Sequence, residues 1–226
     1  MAISPVVSIQ HLNHAYGTGN LRKPILLDIN LVLNPGEIVI LRGPSGSGKT
    51  TLLTLIGALR SLQDGYLSIL GYDLRGVSKQ QLIKIRQQIG FIFQLHHLLD
   101  CLTLQENVGI ALKLHPHIPL PERRVRSVNI LAEVGLGEYV NYYPRSLSGG
   151  QKQRAAIARA LVTNPKLVLA DEPTASLDSH NGREVVRLIQ HFATDKGCAV
   201  LLVTHDNRIL DVADRIVYME DGRLSE

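Results

Sequence analysis

Gly43-Pro44-Ser45-Gly46-Ser47-Gly48-Lys49-Thr50 is the stretch from which the rest of this chain is read. It fits the pattern G-x-x-x-x-G-K-[ST]. Glycines let such a loop wrap closely, so that backbone N–H groups converge on phosphate oxygens, the lysine reaches the outer phosphates, and the following hydroxyl ligates Mg²⁺. Upstream, Glu37-Ile38-Val39-Ile40-Leu41 is a short apolar run that predicts a buried parallel strand. Downstream, residues 51–59 predict a helix. A loop between strand and helix sets phosphate at the helix N-terminus, where the backbone carries partial positive charge.

A second element narrows the chemistry. Leu167-Val168-Leu169-Ala170-Asp171-Glu172 is an apolar strand ending in two carboxylates. Beside a phosphate loop, the first acid organises Mg²⁺ together with the loop hydroxyl, here Thr50. The second acid, Glu172, can polarise a water for attack on a γ-phosphate. A third element is Leu147-Ser148-Gly149-Gly150-Gln151, followed by a helical pattern from Lys152 to Leu161. Ser148 is a good N-cap, and with the glycine N–H groups and the helix dipole it forms a second anion site. One nucleotide rarely needs two phosphate sites in one domain. The second site therefore reads as serving the γ-phosphate held by another copy.

The chain's 226 residues suit one large domain or a core with an inserted subdomain, and its hydrophobic share of 45% is that of an ordinary protein with a sizeable core. Tryptophan is absent and the net charge is only +4. That pairing offers no stacking platform for single strands and does not call for nucleic acid as a partner. Cys101 and Cys198 stand far apart without metal-ligand spacing and read as free thiols. The N-terminus lacks the layout of a secretion signal, and no apolar run approaches the roughly 18 residues needed to cross a bilayer. Any membrane role is expected to come through a partner.

Strand–helix alternation organises the chain. Short strands joined by a polar loop at 17–23 are predicted over 6–33. Gly65-Tyr66-Leu67-Ser68-Ile69-Leu70-Gly71-Tyr72 alternates as a strand, residues 78–88 predict a helix capped by Ser78, and 89–93 a further buried strand. Strand signals vanish over 95–161, which reads as a helical insertion. Alternation then returns at 167–170, 181–193, 199–204, 209–213 and 216–219, arguing for a mainly parallel sheet covered by helices.

With these motifs in this order, the chain from Tyr16 to Gly222 resembles the ATP-binding subunit of an ABC transporter. The resemblance implies an α/β fold: a P-loop NTPase (RecA-like) core with a mainly parallel sheet, an N-terminal antiparallel β-subdomain and an inserted α-helical subdomain, about 95–161, within a single domain over 1–226. Tyr16 falls where the family stacks an aromatic ring on adenine. Gly43, Pro44, Ser45, Gly46, Ser47, Gly48, Lys49 and Thr50 match the Walker A loop, which Thr51 extends. Gln94 matches the Q-loop glutamine that touches Mg²⁺ and the attacking water. Leu147, Ser148, Gly149, Gly150 and Gln151 match the signature motif. Asp171 and Glu172 match the Walker B pair, Ser176-Leu177-Asp178 the D-loop, and His205 the switch histidine that contacts the γ-phosphate.

The roles implied are Glu172 as general base, with His205, Lys49 and Gln94 as its catalytic partners. Thr50, Gln94 and Asp171 would be the metal ligands, and Asp178 the coupling residue between two copies. The implied cofactors are ATP and Mg²⁺. The implied partners are a second copy, as a homodimer when ATP is bound, a separate transmembrane permease and a periplasmic adaptor, with no nucleic acid. The implied location is peripheral, at the cytoplasmic face of the plasma (inner) membrane, powering export or mechanotransmission. Leu98-Leu99-Asp100-Cys101-Leu102-Thr103 and Tyr143-Pro144-Arg145-Ser146 look like the lipoprotein-release and macrolide-efflux branch and the DevA-type glycolipid exporters. Asp100-Cys101 departs from the commoner Pro-x there. The alternative is an ABC-type ATPase of DNA repair or translation, which would need a long coiled-coil insertion or a second set of motifs.

Overall fold

In the computed structural model, which describes residues 4–175 and 177–225, the elements follow one another as β1 (Val7–Tyr16), β2 (Lys23–Leu33), β3 (Ile38–Arg42), α1 (Lys49–Ile56), β4 (Asp64–Ile69), β5 (Tyr72–Asp73), α2 (Lys79–Arg86) and β6 (Ile89–Ile92). The helices α3 (Leu104–Lys113), α4 (Leu120–Glu133) and α5 (Gly149–Leu161) come next. The chain closes with β7 (Leu167–Asp171), α6 (Ser179–Lys196), β8 (Ala199–Val203), β9 (Arg215–Glu220) and β10 (Arg223–Ser225). One sheet is antiparallel with the order β2-β1-β4-β5; the other runs β10-β9-β3-β8-β7-β6. In the second, β9, β3, β8, β7 and β6 pair in parallel, and only the edge strand β10 is antiparallel.

The run that predicted a parallel strand is buried on both faces, and its alternation decides the layering. Ile38 and Ile40 face one hydrophobic cluster with Val168, Ala170, Val200 and Leu202, against residues of α3–α6. Val39 and Leu41 face the other with Leu169, Leu201 and Val203, against α1 and the antiparallel sheet. Successive side chains of a strand point to opposite faces, so one central strand serves two cores. Each such side chain contributes roughly 1.5–3 kcal/mol on burial. Helices α3 and α4 share the first cluster: Leu104, Val108, Leu112 and Leu131 are fully buried in it.

The structure differs from the sequence reading at two hairpins. Residues 65–72 are not one strand. β4 stops at Ile69, Leu70 and Gly71 turn with φ of 51° and 82°, and β5 pairs back as Ile69↔Tyr72. Two consecutive positive φ values make the tight turn whose twist matches antiparallel strands, and a period-2 pattern cannot register such a reversal. Strand β10 was not expected. It follows a turn at Asp221 and Gly222 (φ 46° and 75°), and Asp-Gly is a strong hairpin signal. That turn also joins the two sheets, since the Leu27 N–H donates to the Gly222 carbonyl at 2.8 Å. The first helix ends at Ile56 rather than running on to residue 59, because Ala58 adopts φ 53°.

The stretch from Leu99 to Thr103 is pinned by one side chain. Asn107, fully buried in α3, donates to the carbonyls of Leu99, Leu102 and Thr103 at 3.0–3.1 Å and accepts from the Leu99 N–H at 2.7 Å. The Leu99 and Thr103 carbonyls also accept from the Leu102 and Asn107 backbone N–H groups, so Asn107→Ala takes the side-chain partner chiefly from the Leu102 carbonyl and the Leu99 N–H. It should lower unfolding stability by about 1–3 kcal/mol, read as a shift in the urea midpoint.

Candidate nucleotide site

The phosphate loop needs its glycines for backbone reasons. Gly43, Gly46 and Gly48 sit at φ of 141°, 82° and 111°. A Cβ on Gly43 would lie 1.9 Å from the Met219 carbonyl oxygen, so β9 packs directly against the loop. Within the loop, the Lys49 Nζ donates to the Gly43 and Pro44 carbonyls at 2.8 Å each. Burial pulls its pKa down, and the nearby Glu172 and Asp171 carboxylates oppose that. An ammonium has three donors, so these two bonds orient it across the loop without exhausting it.

The loop forms one wall of a cleft of ≈ 870 Å³, a volume suited to a nucleotide. The parallel strands β7 and β8 bring the acids and the histidine to the same end of the sheet. Thr50 Oγ1 donates to Asp171 Oδ2 at 3.0 Å. Burial raises the pKa of Asp171, against the Thr50 hydrogen bond and the Lys49 charge. Glu172 holds its backbone at φ 48°, fixed by its N–H to the Val203 carbonyl at 2.9 Å. Such a conformation costs a non-glycine residue about 1–3 kcal/mol and is characteristic of working sites. His205 meets the Glu172 carboxylate twice: Nε2 lies 3.2 Å from Oε1, and the backbone N–H donates to Oε2 at 3.3 Å. Burial pushes the Glu172 pKa up, with His205 pulling against it. Tyr16 also lines the cleft and shares a 3.1 Å hydrogen bond with Thr51 Oγ1, just after the loop, while the Arg60 guanidinium lies 5.0 Å from its ring centroid. Gln94, exposed two residues past the end of β6, lines the cleft as well.

One group of sequence-expected residues is absent from this wall. The turn Leu147–Gln151 and Asp178 do not line the cleft. Ser148 caps α5 reciprocally: its Oγ accepts from the Gln151 N–H at 3.3 Å, and Gln151 Oε1 accepts from the Ser148 N–H at 2.9 Å. Leu147 is buried, whereas Ser148 and Gly149 are exposed. Asp178 caps α6, accepting from the His180 and Asn181 N–H groups at 3.0 Å each. Ser176, the first residue of the expected D-loop, lies outside the described residues.

A family model described as ABC transporter matches residues 26–175. The chain belongs to the ABC transporter family. It is 41% identical over 222 residues to the lipoprotein-releasing system ATP-binding protein LolD of Anaeromyxobacter dehalogenans, covering 98% of this chain and 93% of that protein. It is 38% identical over 227 residues to the macrolide export ATP-binding/permease protein MacB of Marinobacter nauticus, and spans only 35% of that longer protein. These are the lipoprotein-release and macrolide-efflux proteins of the branch expected from residues 98–103 and 143–146. Among solved structures, the ATP-binding cassette MJ0796, a dimer in a post-hydrolysis state bound to ADP and Pi, superposes with a TM-score of 0.90 at 37% identity, covering 97% of each chain. The ABC ATP-binding cassette is thus the fold of this chain.

Within this ABC cleft the structure adds residues that sequence reasoning missed. Thr174, Asp206 and Arg208 line it beside His205. Thr174 Oγ1 donates to Asp206 Oδ2 at 3.2 Å, and Arg208 clamps the Asp206 carboxylate with two bonds of 2.7 Å. Arg208 reaches on to Ser179 Oγ at 2.6 Å, tying the loop after β8 to the start of α6. The Asp-x-Arg spacing after His205 was the available signal.

Proposed function

We propose that two copies of this chain bind ATP head to tail, each ATP lying between the Gly43–Thr50 loop of one copy and the Ser148–Gln151 turn of the other. The observation that carries this reading is the separation just described. One cleft gathers the loop, Gln94, Asp171, Glu172 and His205, while a second capped anion site stands exposed outside it. Charge-assisted bonds to phosphate contribute roughly 1.5–3 kcal/mol each. Contacts from both copies therefore make ATP an adhesive that hydrolysis releases.

Within one cleft, Tyr16 offers a ring for adenine, and Lys49 donates to the outer phosphate oxygens. The cleft fits Mg²⁺ by its donors: Thr50 and Asp171 present hard oxygens already in contact, with Gln94 as a third. Mg²⁺ requires only one or two protein oxygens beside those of the phosphates. When bound, it would neutralise charge developing between the phosphates. Glu172 takes the proton of the attacking water, its raised pKa suiting a base. His205 orients the Glu172 carboxylate and the γ-phosphate. Asp178 couples the two sites.

Among the described residues no helix is long and apolar enough to cross a membrane. The work of hydrolysis is delivered to a separate permease in export or mechanotransmission, with a periplasmic adaptor, the chain lying peripherally at the cytoplasmic face. Crosslinking tests the head-to-tail reading. Cys198 is buried, with its thiol pushed up to about 12, so only the exposed Cys101 needs replacing. In a Cys101→Ser background, Ser45→Cys with Gly149→Cys should crosslink between copies when a nonhydrolysable ATP analogue is present. If the analogue never yields that crosslink, the arrangement is wrong.

A further inference from the structure

Asn181, on the first turn of α6, uses both ends of its amide. Its Nδ2 donates to Asp178 Oδ2 at 2.5 Å, and its Oδ1 accepts from Arg154 Nη2 at 3.1 Å. Arg154 lies on α5 just beyond the Ser148–Gln151 turn, and its other terminal nitrogen donates to Glu184 Oε2 at 3.1 Å. The amide also packs against the turn itself, since a Cβ on Gly150 would lie 3.3 Å from Asn181 Oδ1. Bonded contacts therefore run without a break from Asp178 through Asn181 to Arg154, and by packing to Gly150.

This path requires an amide at its centre. The central group must donate to a carboxylate and accept from a guanidinium at once. An aspartate there could accept from Arg154, but would face Asp178 as a like charge with no proton to give. An alanine could do neither. Hydrogen bonds donated by Asn181, from its backbone N–H first and its side-chain amide second, hold the Asp178 carboxyl below its usual range. Ser179, next to Asp178, accepts a 2.6 Å bond from Arg208, which lines the cleft, so one end of the path is tied to the cleft. The other end bears the turn that lies outside it.

We propose that Asn181 is a positioning residue that ties the signature turn to the state of the chain's own cleft, and so couples the two ATP sites of the pair. This rests on the head-to-tail reading above. It assigns cross-site coupling to contacts within one chain, to which Asp178 is only the entrance.

The test uses the full chain and steady-state ATP hydrolysis. Asn181→Asp and Asn181→Ala should each lower kcat about tenfold, an ordinary size for a coupling loss. KM for ATP and the thermal midpoint should stay near the parental values, and any cooperativity in ATP should weaken. Asn181→Ala leaves the Asp178 cap on α6 in place, so it reports even if the charged variant folds poorly. In a Ser148→Ala background, Asn181→Ala should add no further loss, a non-additivity that a merely structural role would not produce. Parental kcat in both variants, or fully additive losses with Ser148→Ala, would overturn the proposal. Failure of the unmutated chain to associate in ATP would instead overturn the head-to-tail reading, so the two failures are distinguishable.

Discussion

Glu172→Gln is expected to lower ATP turnover by about 10²–10⁴-fold, the ordinary contribution of a positioned general base. The amide keeps the shape and the hydrogen bond from the His205 N–H but cannot accept a proton from water. The backbone at φ 48° and the bond to the Val203 carbonyl do not involve the side chain, so the variant should fold as the parent does. Because phosphate contacts are untouched, ATP should still draw two copies together and hold them. Phosphate release and size-exclusion chromatography in ATP and Mg²⁺ measure the two halves of this expectation. Turnover at the parental rate would remove Glu172 from the role of base.

Lys49→Ala should act one step earlier. The Lys49 ammonium is the one cation placed inside the loop, held there by the Gly43 and Pro44 carbonyls. Removing the charge-assisted bond that its third donor makes to phosphate, at roughly 1.5–3 kcal/mol, weakens ATP binding by about 10–100-fold. A fluorescent ATP analogue titrated by anisotropy reads this directly. The variant should also lose ATP-dependent pairing, which separates it from Glu172→Gln. Unchanged affinity would mean that the loop's backbone N–H groups alone hold the triphosphate.

Much of this was legible in the chain. Residues 38–41 announced a central strand because every one of them is apolar, as burial on both faces demands. Ser78, Thr103 and Ser148 each begin a helix with a capping box, and all three carry the pattern in their own letters: Ser78 with Gln81, Thr103 with Glu106, and Ser148 with Gln151. The cleft residues on β3, β7 and β8 could be found because parallel strands deliver their C-terminal ends to one place.

The misses share a cause. The turn at Leu70-Gly71 follows directly on the alternating Leu67-Ser68-Ile69, and the strand it returns to is two residues long, too short for a period to show the reversal. Arg208 reaches Asp206 within its own loop but Ser179 across the fold, and the second contact has no local trace. Arg154 and Asn181 lie on different helices, and only packing of α5 against α6 brings their side chains together.

The sharing of β3 between two cores has a further consequence. The phosphate loop hangs from a beam mortised into both layers at once, so β3 cannot loosen without breaching each of them. A cycle of nucleotide capture and release must find its freedom elsewhere. The sheet acts as the anvil, and the slack belongs to the helices that rest on one side of it.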